Sequence, residues 1–374
     1  MRSFIISFRR SVGLTMTIFC VLALQASNGR ADDSHLLADL LEQPAQANTR
    51  ATFSLQLSVC RAGDRLVSVG ERGLILLSDD SGRSWRQAKS VPVSVALTQV
   101  YFVSAKTGWA IGHSGVVLHS EDGGDTWQRQ LDGRQVAQIV LYKAHSLATT
   151  NGDARVARLR AAEQLVQDGP DKPFLSLYFT DAQNGWIVGA YGLALATKDG
   201  GKSWQSLMAG IPNVGSKHFY AVSQSKDNLL IAGEQGALFR STNQGESFTQ
   251  LQTPYSGTYF GVLQSGPDVI LAFGLRGNVW RSHDAGTSWS RVELGQSVTI
   301  TAGLQLPDGT ALLADESGQL FHGDAMFSHF TPLKVPALSG LTSMVQTIDG
   351  GLAVTSMRGV SRIEPAMLAT ERSQ

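Results

Sequence analysis

The chain has 374 residues, of which 39 are glycine and 17% are charged, and its formal net charge is zero. Such a composition suits many short strands joined by tight turns and argues against a disordered or coiled-coil chain, while the lack of a basic excess argues against nucleic acid, whose phosphates demand clustered Lys and Arg. A length that would ordinarily divide into two or three domains is also one that closed all-β rings reach as a single unit.

Residues 1–31 read as an export signal. Arg2, Arg9 and Arg10 give a positive start, residues 12–24 form an uncharged, mostly apolar run, and Gly29 and Ala31 flank a cut after Ala31. The run is short for a membrane span, which needs about 20 residues, so the segment reads as cleaved, with an uncleaved anchor as the alternative. Arg9-Arg10 gives an incomplete twin-arginine resemblance, with Phe8 where Ser or Thr is expected. Cys20 follows Phe19, unlike a lipoprotein cleavage box. The expected destination is the periplasm. Without residues 1–31 the chain loses four arginines and no acid, leaving 27 basic against 31 acidic residues. Cys60 is then the one cysteine, which offers neither a disulfide nor a Cys-based metal site and points to a packing role.

From residue 50 onward one unit recurs: an apolar strand, a second strand ending in Gly, two residues, Gly, a third strand, then Ser-x-Asp-x-Gly-x-Ser/Thr-Trp. The closing Gly of each unit falls at Gly73, Gly115, Gly192, Gly236, Gly277, Gly318 and Gly359, with separations of 42, 77, 44, 41, 41 and 41. Seven units with four short strands each predict an all-β, seven-bladed β-propeller over residues 50–365, in which radial closure removes exposed sheet edges. The innermost strands are expected at 53–59, 97–103, 174–179, 219–223, 259–263, 299–304 and 341–346. Residues 32–49 are expected to hold a helix and, around 42–49, the outer strand of the last blade, closing the ring; residues 366–374 form a tail.

The second half of the unit appears with Asp80, Gly82 and Trp85, with Asp122, Gly124 and Trp127, with Asp199, Gly201 and Trp204, and with Asp284, Gly286 and Trp289; a fifth copy carries Asn243, Gly245 and Phe248. In such a turn the Asp or Asn accepts backbone N–H groups, the Gly takes a positive φ cheaply, and the aromatic wedges into the apolar layer between sheets. These residues are expected to be structural, not catalytic.

The separation of 77 exceeds one unit, and the excess lies between Arg134 and Lys172. Val136, Ile139, Val140, Ala144 and Leu147 recur there at helical spacing, Asn151-Gly152 reads as a stop, and Asp153 reads as the N-cap of a second helix carrying Val156, Leu159, Ala162 and Val166. A helical hairpin inserted between blades 2 and 3 is predicted. In a four-stranded blade its root emerges on the same rim as the Gly-pair turns, while every Asp box lies on the opposite rim. That first rim would carry Arg72, His113, Tyr191, Arg276 and Arg358, the candidate partner-binding residues.

With Gly108-Trp109-Ala110-Ile111-Gly112, Gly185-Trp186-Ile187-Val188-Gly189 and the Asp boxes, residues 50–365 resemble the photosystem II stability and assembly factor family. The resemblance implies a non-catalytic chaperone that holds a membrane-protein precursor, with an arginine-rich surface in contact; Arg72, Arg276 and Arg358 occupy the matching type of position. The hairpin departs from the photosynthetic members and is associated with non-photosynthetic relatives of the group. Asp boxes also decorate sialidases, which need a six-bladed ring, a Tyr nucleophile with a Glu partner and an early Arg-Ile-Pro segment. Here there are seven units and no such segment, and the sequence shows no paired carboxylates at a defined gap. The expectation is an exported monomer without metal or cofactor that binds a membrane-associated or exported protein, with glycan binding or a sialidase-like glycoside hydrolase on the same propeller as the alternative.

Overall fold

Each repeat folds into its own antiparallel sheet, and the sheets stand side by side around an axis. The structure, a computed structural model, describes residues 39–147, 152–336, 338 and 340–368; the signal segment, Cys20 and the end of the tail lie outside them. In blade 1 the strands Gln56–Ala62, Arg65–Gly70, Ile75–Ser78 and Arg86–Gln87 pair in chain order. Blades 2 to 6 repeat that order with four strands each, and the chain is a seven-bladed β-propeller.

The sequence pattern of each strand follows from its layer. Second strands such as Gly108–Gly112, Gly185–Gly189 and Val269–Gly274 are buried along their whole length because a neighbouring blade covers each face. First strands line a central channel of about 340 Å³ that receives residues from all seven blades, including Ser58, Gln99, Ser176 and Ser343. Their alternation of apolar with small polar residues reflects one face on the core and one on the channel. Between blades 2 and 3 the fully buried Trp109 stacks on Phe179 at 3.7 Å, and Phe179 meets Trp204 edge-on at 6.3 Å. Aromatic pairs of this kind contribute beyond their buried area.

The Asp boxes close the turns between third and fourth strands. In blade 1 the Asp80 carboxylate accepts the N–H groups of Arg83 at 3.0 Å and Ser84 at 2.8 Å, and the Ser84 hydroxyl at 2.6 Å. Gly82, at φ 86°, donates its N–H to Ser78 Oγ at 2.8 Å. The indoles of Trp85, Trp127 and Trp289 donate to the carbonyls of Gly82, Gly124 and Gly286, whereas the Trp204 indole N–H is buried without a partner. Blade 6 holds a decayed version that the repeat pattern does not reveal. Asp324 accepts the N–H groups of Met326, Ser328 and His329, and the buried Phe327 takes the left-handed conformation at φ 53°.

Ring closure differs from expectation. Among the described residues blade 7 has three strands, Leu341–Gln346, Leu352–Ser356 and Gly359–Ile363, and residues 42–49 supply no fourth. Leu41 is instead buried in the core of blades 1 and 2, the Ala45 N–H donates to Val91 O at 3.0 Å, and the Ser94 N–H donates to Leu40 O at 2.8 Å. The segment is a strap along the link between blades 1 and 2. Burial of Leu41 there sets its course, and Pro44, with no N–H to give, interrupts any ladder. Residues 39–49 hold turns and no helix, and the rest of the expected N-terminal helix lies outside the described residues. The first inner strand starts at Gln56, not at residue 53, because Ala51–Phe53 forms a 3-10 turn that sits against Gly359 and leaves Phe53 exposed.

The ring closes through side chains and inner strands. Thr342 Oγ1 donates to Gln56 O at 2.7 Å and the Val59 N–H to Ser343 Oγ at 3.3 Å. On the Asp-box rim Asp349 of blade 7 accepts Arg83 of blade 1 and Arg362 of its own blade, each at 2.8 Å. Arg362 also reaches the Ser81 carbonyl.

Candidate partner-binding rim

The turn between second and third strands makes the first rim, and the sequence explains its shape. The three residues after the second strand form a 3-10 turn in blades 1, 2, 3 and 5 and a plain turn in blade 4. In all five the central residue is left-handed: Arg72 at φ 53°, Ser114 at 57°, Tyr191 at 55°, Gln235 at 53° and Arg276 at 58°. A final Gly is required because the link to the next blade passes close by; a Cβ on Gly73 would lie 2.1 Å from Val93 O. The left-handed residue then projects away from the sheet. In blades 6 and 7 side chains hold the turns instead, Asp315 Oδ1 accepting the Ser317 N–H and Ser356 Oγ accepting the Arg358 N–H.

Arg72, His113, Tyr191, Arg276 and Arg358 are all exposed on this rim, on blades 1, 2, 3, 5 and 7. The structure gives no contact among them. Among the described residues no acid pairs with the three guanidinium groups. Arg72 borders a cleft of about 570 Å³ beneath the N-terminal strap, with Leu40, Gln43 and Ser94. Tyr191 packs beside His218 at 4.8 Å, with the Lys172 ammonium 4.7 Å from its ring centre.

The helical hairpin rises where the repeat spacing places it. Helix α1, Gly133–Ser146, opens with a capping box that the sequence reading missed: Asp132 accepts the Arg134 N–H at 2.9 Å, and Gln135 Oε1 accepts the Asp132 N–H at 3.0 Å. Helix α2, Gly152–Asp168, begins one residue before the expected N-cap Asp153, whose side chain lies outside the described residues. Val136, Val140 and Ala144 of α1 and Ala162 of α2 join Trp109, Phe174 and Trp204 in one core, so the hairpin is docked on blades 2 and 3. Val156, by contrast, is exposed.

Docking leaves two adjoining clefts against the outer strand of blade 3, Gln205–Ser206. One, of about 490 Å³, lies under the hairpin and is walled by Val140, Ala144, Leu165, Leu193 and Met208, with Tyr191 at its mouth. The other, of about 470 Å³, continues past Lys198 and Ser203 to Gln244 and Glu246. Lys143, Arg158, Ser206 and Ala209 line both. The combined groove therefore runs from the Gly-turn rim across the side of blade 3 to the Asp boxes of blades 3 and 4. Lys143 and Arg158 were not singled out in the sequence; one clue was that α1 carries no acid at all.

Cys60 is partly buried against the core of blades 1 and 2, and burial pushes its thiol pKa up, which makes it a poor nucleophile. Among the described residues no cluster of His, Cys, Asp and Glu could hold a metal, and no helix is long and apolar enough to cross a membrane.

A family model described as photosynthesis system II assembly factor YCF48 matches residues 63–137 and 159–321. A photosystem II assembly lipoprotein Ycf48 of Synechococcus sp. (strain CC9902) is 30% identical over 77 residues, which is 21% of this chain and 23% of that relative. The chain thus spans less than a quarter of that relative's length in the match. Among solved structures, YCF48 bound to D1 peptide has a TM-score of 0.59 at 16% identity, covering 86% of this chain and 95% of its own. YCF48 from Cyanidioschyzon merolae has a TM-score of 0.60 at 15% identity, covering 87% and 99%. A GH74 enzyme of Niastella koreensis has a TM-score of 0.59 at 12% identity, covering 83% and 52%. The stretch left between the two matched ranges, 138–158, falls inside the hairpin.

Proposed function

The chain belongs to the photosynthesis system II assembly factor YCF48 family, and from that membership we propose that it is an exported, non-catalytic factor that docks a membrane-associated or exported protein on its Gly-turn rim. The observation that carries this is the set of exposed arginines Arg72, Arg276 and Arg358, which have no acidic partner of their own among the described residues. Guanidinium groups so placed offer planar, always-charged donors to acidic side chains or a terminal carboxylate. A relative with the same fold has been solved with a D1 peptide bound, which supports a polypeptide partner. The Asp-box rim is less suited, because the oxygens of Asp80, Asp122, Asp199 and Asp284 are already taken up by the Ser and Thr groups of their own turns.

A glycan ligand would need an open aromatic face. Tyr191, an exposed aromatic of this rim, is crowded by Lys172 and His218, which disfavours its ring as a sugar platform. The test is affinity capture from membrane extracts of the source organism with the parent and with the triple variant Arg72→Glu, Arg276→Glu, Arg358→Glu. The variant is expected to retain the parent's melting temperature and to recover at least tenfold less partner. Equal recovery would move the docking face elsewhere.

A further inference from the structure

We propose that the groove between the hairpin and the outer edge of blade 3 is a binding site for an extended peptide segment that carries an acidic residue flanked by apolar ones. The proposal rests on the reading of the chain as a partner-binding factor and specifies a second, separate contact. Lys143 and Arg158 stand half-buried at the junction of the two clefts, and no carboxylate pairs with either among the described residues. That is unlike Arg65, Arg83, Arg86, Arg129, Arg134 and Arg362, each of which has an acidic partner. Cations withdrawn from water without a partner are costly, and a ligand carboxylate between them would relieve that cost with a bidentate guanidinium contact.

The other charged groups of the groove leave that junction positive. Asp168 is engaged by Lys172 at 2.9 Å, Lys198 adds a third cation on the Asp-box side, and Glu246 lies at the far end. Apolar walls from Val140, Ala144, Leu165 and Met208 on the hairpin side call for apolar ligand residues next to the acid.

Shape favours a linear occupant. The groove crosses a blade whose second strand, Gly185–Gly189, has 5 residues, so at about 3.3 Å per residue it is roughly 17 Å across. That length suits five or six residues of extended chain. The two clefts adjoin along Lys143, Arg158, Ser206 and Ala209, and a run of that length suits a strand-like segment better than a compact metabolite. The stretch 138–158 that the family match leaves out contributes both Lys143 and Arg158, so the groove is a feature of this chain's own insertion.

The purified full chain is panned against a displayed library of random nonapeptides, and the enriched peptides are remade with fluorescein for anisotropy titration. Enriched sequences are expected to place Asp or Glu among Leu, Val, Ile or Phe. Lys143→Glu and Arg158→Glu are each expected to weaken the labelled peptides at least tenfold, while Lys106→Glu, exposed on blade 2, changes affinity less than twofold. All variants are first shown to melt with the parent. No enrichment, enriched peptides without an acid, or affinities indifferent to both groove reversals would overturn the proposal. Saturable binding of dansylundecanoate that Arg158→Glu abolishes, with no peptide enriched, would also overturn it and assign the groove to lipid carboxylates. Because the readout is a short peptide, these failures leave the arginine-rim capture experiment standing on its own.

Discussion

At blade 4 Asn243 stands where four other blades carry Asp, and it makes the same turn: Oδ1 accepts the Ser247 N–H at 3.0 Å and Nδ2 donates to Ser247 Oγ at 2.9 Å. The box therefore needs acceptor geometry more than charge. Where the residue is Asp, hydrogen bonds to the charged form lower its pKa, to about 2 for both Asp80 and Asp284, with the Ser84 and Ser288 hydroxyls as the leading cause. A folded-state value below the unfolded one contributes stability above the unfolded value and loses it as pH falls through the folded value. Thermal stability is thus expected to hold down to about pH 4 and to fall from there toward pH 2. In the double variant Asp80→Asn, Asp284→Asn the acid limb should be shallower with little change at pH 7. An unchanged limb would show that other groups control it. The aromatic of the box has a different part. Trp127 is 3% exposed and meets Phe102 edge-on at 5.8 Å, so Trp127→Ala should cost about 3–5 kcal/mol in urea unfolding without changing affinity per folded molecule. Trp289, only partly buried, should cost less.

Elements were legible where a residue type is forced by local geometry. The seven units could be counted because each closing Gly must be left-handed or lie against a carbonyl, even in blades 6 and 7 where Asp315 and Ser356 replace the first Gly, and the hairpin could be placed because its apolar residues recur at helical rather than strand spacing. The strap was not legible, since residues 42–49 bond to the link between blades and not to a ladder with its own pattern. Nor was the groove, because Lys143 and Arg158 sit on different helices and meet only once α1 has turned Val136, Val140 and Ala144 onto blade 3. Blade 7 gives the prediction at this scale. With no fourth strand among the described residues, the edge of Gly359–Ile363 leans on Arg362, whose side chain is 8% exposed and bridges Asp349, Glu364 and Ser81. Arg362→Met leaves Asp349 with Arg83 as its one cationic partner among the described residues, beside the Thr347 hydroxyl and the Gly351 N–H, and should cost about 1.5–3 kcal/mol, the range for hydrogen bonds to charged groups. Hydrogen exchange is expected to speed up first at 359–363. Uniform acceleration around the ring would mean that the latch carries no local load.

At the scale of the whole molecule, inner strands touch their neighbours all the way round, and blade 7 meets blade 1 through Thr342 and Ser343. A closed ring of this kind holds its loops in fixed relative positions, and loops on a rigid scaffold tend to carry function. The two rims differ in what they have left to offer. On the Asp-box side the polar groups face inward on their own turns; on the Gly-turn side left-handed residues project outward whatever their identity, so side chains there are free to be chosen for a partner. Surface ion pairs contribute only about 0–1 kcal/mol each, so in the proposed docking three arginines alone would make a weak contact, and the apolar cleft beneath α1 would supply much of the rest. A partner that uses both should cover a continuous surface from blade 5 to the hairpin. Photo-crosslinking resolves this without disturbing the charges. Benzoylphenylalanine in place of Tyr142, which is 78% exposed on α1, and in place of Leu275, beside Arg276, should each give an adduct with the same captured protein. The same group at Thr287, exposed in the blade 5 Asp box, should give none. Adducts from Thr287 alone would put the docking face on the Asp-box rim and leave the arginines of the other rim as solvated turn residues.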